Sequence, residues 1–384
     1  GAPASGPAPT GDAQPELARR IAALDARGGG TLELGDGTYL LSQPLILPLS
    51  VSLSMSPRAV LRAQKDFNGD ALLIKGGGKY PANSSSAGWI RGGVLDGARL
   101  ALTGIRVEKL HRLEIADLEI QDAAMKGIHL ARGGNETNLS RVRINLSADL
   151  AHAPGSIGVH YERGDCKASQ VHIIGYETGI RDDWGSNWFH LIHAWNTETT
   201  QGPLKVAFDG NGGNSHFHMC YADSPTVAGF AIRKPNHTVV QCSVYYSRWA
   251  PEGGGAAFLL GPRGRHGTFL ANDVWADEGH RLGKAFDGDL SSQTILGTRY
   301  ANVLAGAENR IASGEDTPSE LPKIKGPIRY PSLQVGGGGL RLAPAAKAPT
   351  PEEGELGELR WIEEGSNSAL WVKTGKGWKS AKLG

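Results

Sequence analysis

The chain has 384 residues with 40 Lys+Arg against 39 Asp+Glu, a formal net charge of +1. A balance this close excludes the one-sided basic field that draws a protein to nucleic acid or to an anionic membrane surface, and no apolar run reaches the ~18 residues of a spanning helix. The 54 glycines are about twice the usual share and suit a fold with many tight corners, while three cysteines cannot build a disulfide framework.

Residues 1–11 are small and Pro-rich, lack the charged and apolar regions of a signal peptide, and read as a linker or scar. Residues 12–27, DAQPELARRIAALDAR, place Leu17, Ile21, Ala22 and Leu24 on one helical face. A GGGT turn, a strand, GDGTY, a Pro-containing strand and an apolar strand follow up to residue 63. This series resembles the N-terminal cap of the pectate-lyase-like right-handed parallel β-helix superfamily, which includes pectate lyases, polygalacturonases, fructotransferases, uronate epimerases and phage tailspike depolymerases. The resemblance implies that the helix plugs the apolar end of the first coil and hides its strand edges.

From 64 to 310 the chain repeats a unit too short to bury its own apolar face, so neighbours must stack into one core. First strands read GIRVEK (104–109), GIHLAR (127–132), GVHYER (158–163), GIRDDW (179–184), KVAFDG (205–210) and GFAIRK (229–234). Between them lie alternating, β-rich second strands such as NWFHLIHAWN (187–196) and HTVVQCSVYY (237–246). Polar Gly-rich excursions interrupt the array at 76–88 and 145–156. Residues 311–355 form a connector rich in Pro, Gly and Glu, and 356–384 give three short strands of a small C-terminal β module. The expectation is an all-β, right-handed parallel β-helix with an N-terminal capping helix and that C-terminal module.

Side chains alternate along a strand, and with Ile180 inward the first strands yield two outward columns. One runs Arg106, His129, His160, Arg181, Ala207, Ala231; the other runs Glu108, Ala131, Glu162, Asp183, Asp209, Arg233, Gly261. At about 4.8 Å per coil, Glu162, Asp183 and Asp209 form a carboxylate ladder with Arg233 beyond it and His160 and Arg181 beside it. Like charges at that spacing push one pKa up, as an acid–base pair requires. A plain solvated face neutralised by its arginines is the competing reading.

The second strands give the columns Asp117, Arg143, His172, His193, Tyr221, Ser243, Asp273 and Glu119, Asn145, Ile174, Trp195, Asp223, Tyr245, Trp275. Outward rings of this kind suit sugar stacking or burial in a subunit contact of a homotrimer. Trp184 and Trp188 flank the acids, Lys234 follows Arg233, and Trp249 sits on a turn. Together with Trp195, Tyr221 and Tyr245 these are the expected substrate contacts. Cys220 and Cys242 share a column and read as packed thiols.

No zinc set is specified by His190, His193, His216 and His218, since HFH supplies two ligands and no third. There is no phosphate loop and no nucleophile elbow. The resemblance implies that the groove over the first strands, 129–234, holds a sugar chain, and that Ca2+ is the metal such a ladder suits, as in related lyases. Three functions stand: a hydrolase or fructotransferase working through Asp183, Asp209 or Glu162; a lyase in which Arg181 or Arg233 neutralises a uronate and His160 takes a proton; and a glycan-binding tail or adhesin protein. Hydrolysis or fructosyl transfer is slightly preferred because acids outnumber bases. The expected partner is an extracellular polysaccharide, at a cell surface or on a virion, with no nucleic acid and no membrane.

Overall fold

A computed structural model describes residues 11–76, 88–147, 153–196, 204–248, 250, 253–301 and 303–305, and the strands among 344–383. Most of the excursion at 76–88 and of the connector lies outside these residues, as do 148–152 of the excursion at 145–156 and Trp249. The chain divides into two compact units, residues 1–316 and 317–384.

The first unit is a right-handed parallel β-helix. Its capping helix, Gln14–Ala26, starts with Pro at the first turn and buries Leu17 and Ile21; the missing proline N–H is no loss there. Every coil pairing is parallel. One sheet stacks eleven strands from Leu45–Pro48 to Val303–Ala305 among the described residues, and this is the first face.

Each second strand departs from the sequence expectation. Instead of one flat element it bends in two, so that a coil has three faces. The bend falls on a residue in left-handed conformation, stacked through seven coils: Asp117, Arg141, Gln170, Leu191, Met219, Gln241 and Ala271, with φ between 51° and 56°. Such a φ is costly for residues other than glycine. Inter-coil bonds donated by corner N–H groups hold it, Met219 to Val240 O at 3.0 Å, Gln241 to Leu270 O at 2.9 Å and Ala271 to Leu296 O at 2.8 Å.

The core is a column of rings and branched chains, where Phe208, Phe230, Phe258 and Phe286 stack at successive centroid distances of 4.6, 5.6 and 4.7 Å. This stack corrects the expected register at one coil. Phe208, not Val206, sits on Ile180, which brings Asp209 beside Arg181; the ladder had placed Asp209 beside Asp183 and Ala207 beside Arg181. The slip is two residues, so Asp209 still faces outward. The corner at Asp117 produces a second slip of two: Arg143 lies beside Glu119, and Asp117 instead accepts from Arg141 Nε at 2.5 Å.

The second unit contains an antiparallel meander of Leu359–Glu364, Asn367–Thr374 and Gly377–Leu383, with Pro344–Ala345 paired to its first strand.

Candidate functional site

The corrected register puts two parallel files on the outer wall of the first face. Arg106, His129, His160, Arg181, Asp209 and Ala231 form one. In the other, Glu162 neighbours Asp183 across one coil step, and Asn211, which bonds to Asp183, follows before Arg233.

Two histidine–carboxylate pairs lie side by side. His129 Nε2 is 3.1 Å from Glu162 Oε2, His160 Nε2 is 2.8 Å from Asp183 Oδ2, and the two imidazoles stack at 4.8 Å with planes 5° apart. Lys126 Nζ approaches His160 Nδ1 at 2.9 Å. An ammonium group has only donors, so Nδ1 accepts, and the proton of neutral His160 sits on Nε2, directed at Asp183. Asp183 also accepts from Arg181 Nε at 3.0 Å and Asn211 Nδ2 at 2.8 Å.

These contacts set the charge states. Burial opposes ionisation of Asp183, but the donors His160, Asn211 and Arg181 outweigh it and hold the carboxyl well below its usual range. Glu162 is likewise lowered against burial by the bond from His129. Burial, with the neighbouring Lys126 ammonium, pushes His129 down to about 4, so its imidazole is neutral at ordinary pH. Lys126 is itself lowered, by burial first, with Arg106 and Arg181 opposing the pull of Glu162 and Asp183.

The arginines share one posture. Arg106 turns Nε to Glu108 at 2.7 Å, Arg181 to Asp183, and Arg233 to Asp209 at 2.6 Å. Their side chains remain 36, 42 and 43% exposed.

No protein-family model matches the chain, and no curated protein matches it. Solved structures do. The protein from Geobacillus virus E2 named ORF18 superposes with a TM-score of 0.55 at 12% identity, over 98% of this chain and 66% of its own length, so this chain spans just under two thirds of it. The A-module of a mannuronan C-5 epimerase from Azotobacter vinelandii gives 0.58 at 13% identity, over 79% of this chain and 96% of that one. An endo-xylogalacturonan hydrolase from Aspergillus tubingensis gives 0.52 at 13%, over 79% and 95%. The chain shares the right-handed parallel β-helix fold of these structures. Neighbours in this fold include proteins that act on polysaccharides, without singling out one activity.

On this β-helix the expected site residues divide among faces. Glu162, Asp183, His160, Arg181, Asp209 and Arg233 share the first face. Trp184, 60% exposed, stands at its corner over Gly164, where a Cβ would meet the indole Cδ1 at 2.7 Å, and Lys234 lies at the corner after Arg233. Trp188 belongs to the second face, between Lys167 and the stacked ring of His216. Trp195, Tyr221 and Tyr245 lie on the third.

Lys126 and Asn211 were missed as site residues. Lys126 stands one place before its repeat, and Asn211 comes beside Asp183 only once Phe208 sets the register. Among the described residues, His129, His160 and Glu162 present ligand atoms within 4.8 Å of one another. A metal does not fit them while Lys126 donates to His160, because the Nε2 that faces the cluster then carries a proton. Nor does Ca2+ fit the ladder: it takes six to eight oxygen ligands, and the carboxylates here are engaged by nitrogen donors.

Proposed function

We propose that the protein cleaves or rearranges an acidic, uronate-containing polysaccharide along the first face, by removing the proton next to the uronate carboxylate. The observation that carries this is the Lys126–His160–Asp183 chain on the face that also carries the part-exposed Arg106, Arg181 and Arg233. An anionic sugar entering the groove competes for Lys126 and draws it off His160 Nδ1. That nitrogen becomes a base, while Asp183 holds the ring and stabilises the imidazolium through Nε2, the role a carboxylate plays in a histidine dyad. Arg181 pairs with the sugar carboxylate and lowers the cost of charge developing on it. In an elimination the proton taken by His160 is passed to the leaving oxygen; in an epimerisation a proton is delivered to the opposite face of the same carbon from water, and His160 releases its own to solvent.

Hydrolysis by a carboxyl pair is supported by the adjacency of Glu162 and Asp183. It needs one of the two protonated, and both are held ionised.

The test is incubation with uronate-containing polymers, following ultraviolet absorbance of unsaturated ends, new reducing ends and exchange of the sugar proton with deuterated water. Unsaturated product or exchange supports the proposal, and added chelator leaves the rate unchanged. Reducing ends without either would assign hydrolysis, and binding without turnover would make this face a glycan receptor. Such a substrate goes with a setting outside the cell, at a cell surface or on a virion.

A further inference from the structure

The third face carries a cluster that the proposed reaction does not use. Trp195, Tyr221, Tyr245 and Trp275 come from four successive coils, all partly exposed. Tyr221 shares its column with the small Ser243 of the next coil and lies parallel to Trp275 one coil further, with centroids 6.1 Å apart and planes 8° apart. Tyr245 tilts against the same indole at 5.6 Å. On the other side His193 stacks on Tyr221 at 4.5 Å and on Trp195 at 5.4 Å.

Two carboxyl groups are set among these rings. Asp223 shares a column with Trp195 and Tyr245 and accepts from Ser224 Oγ at 2.6 Å. Asp277 accepts the Tyr245 hydroxyl at 2.5 Å and the Arg248 amide at 2.9 Å. Burial, reinforced by Asp277, raises the Asp223 carboxyl; the Tyr245 hydroxyl and then the Arg248 amide keep Asp277 ionised.

This mixture discriminates between occupants. The core of a contact between two copies of the chain is depleted of charge, and a second protein surface laid over Asp223 and Asp277 would desolvate both carboxyls. A sugar chain meets both halves of the surface. The C–H faces of its rings pack on indole and phenol, and its hydroxyls donate to carboxylates as Ser224 and Tyr245 already do. The groove cations that would hold an acidic sugar, Lys126, Arg106, Arg181 and Arg233, are all on the first face.

We propose that the third face, over Trp195, Tyr221, Asp223, Tyr245, Trp275 and Asp277, binds a neutral polysaccharide chain as a surface separate from the arginine-edged groove. The protein thereby holds two glycans of different charge, one to anchor on and one to act on. The anchoring surface stands whether or not the groove is catalytic.

The experiment is an array of neutral and acidic glycans probed with the full chain, followed by calorimetry with the strongest neutral hit. Expected is a neutral ligand whose affinity falls about tenfold in Trp275→Ala, the worth of one good ring contact. Tyr245→Phe, which removes only the hydroxyl bonded to Asp277, weakens it less, and Asp183→Asn in the groove leaves it unchanged. Circular dichroism of each variant separates lost binding from lost folding. Three results overturn the proposal: no neutral glycan is retained, Asp183→Asn abolishes the binding, or Trp275→Ala leaves the affinity intact while converting an oligomer to monomers in sedimentation, which would assign the rings to a subunit contact.

Discussion

Replacing Asp183 by Asn tests the groove most directly. The carboxylate receives His160 on Oδ2, Asn211 on Oδ1 and Arg181 Nε on both oxygens. An amide has one acceptor atom, so either the histidine or Asn211 must face an N–H group, while Arg181 keeps the oxygen. A charged hydrogen bond is worth about 1.5–3 kcal/mol; with Asp183 partly open to solvent, the folded state should lose about 1–2 kcal/mol. In thermal unfolding that is a shift of a few degrees. Turnover depends on the dyad for orientation and for stabilising the imidazolium, so kcat should fall about 100- to 10,000-fold. The assay is initial rate on the active uronate polymer beside a melting curve of the same preparation. A variant that keeps kcat within about tenfold of wild type while melting as expected would show that Asp183 is only a surface ion pair, and the reaction would have to be sought elsewhere.

Acid should act through the same carboxylate. Its folded pKa is depressed from 3.8, so its contribution to stability is complete above 3.8 and is lost as pH falls toward the folded value. Urea unfolding on either side of that pH should therefore show wild type losing more stability than Asp183→Asn. Arg163, buried at 1% exposure, donates to the carbonyls of Val107, Leu110 and Ala131, tying three coils at the edge of the first face. Arg163→Met takes the guanidinium donors from the Leu110 and Ala131 carbonyls, while Val107 still accepts from the Ala131 amide, and should cost about 3–5 kcal/mol by urea unfolding. Phe208→Ala opens a hole in the ring stack and should cost about 3–5 kcal/mol; because Phe208 also fixes the coil that carries Asp209 and Asn211, turnover should fall with it. Gly164→Ala should push Trp184 off its seat and raise KM with little change in melting temperature, measured on the same polymer.

The sequence was sufficient for the repeat, the cap and the outward phase of the acids, because these depend on local alternation and on the inability of a short unit to bury its own face. Glu162 beside Asp183, and His160 beside Arg181, were legible for that reason: their coils share the pattern in which a β-branched residue is followed by an outward polar one. Asp209 was misplaced because KVAFDG offers two apolar anchors, Val206 and Phe208, and the choice between them is made by Ile180 and Phe230 above and below. Parity survives such a slip; neighbours do not. The left-handed corner was invisible because its residues, from Asp117 to Ala271, share no chemical type and are held by bonds from the next coil. Only the tertiary structure put Lys126 behind His160 and Asn211 against Asp183, and moved Trp195, Tyr221 and Tyr245 to a face of their own. Alternation along one strand tells which side a residue is on; the packing between coils tells which residue stands next to it, and charge states follow from the neighbour.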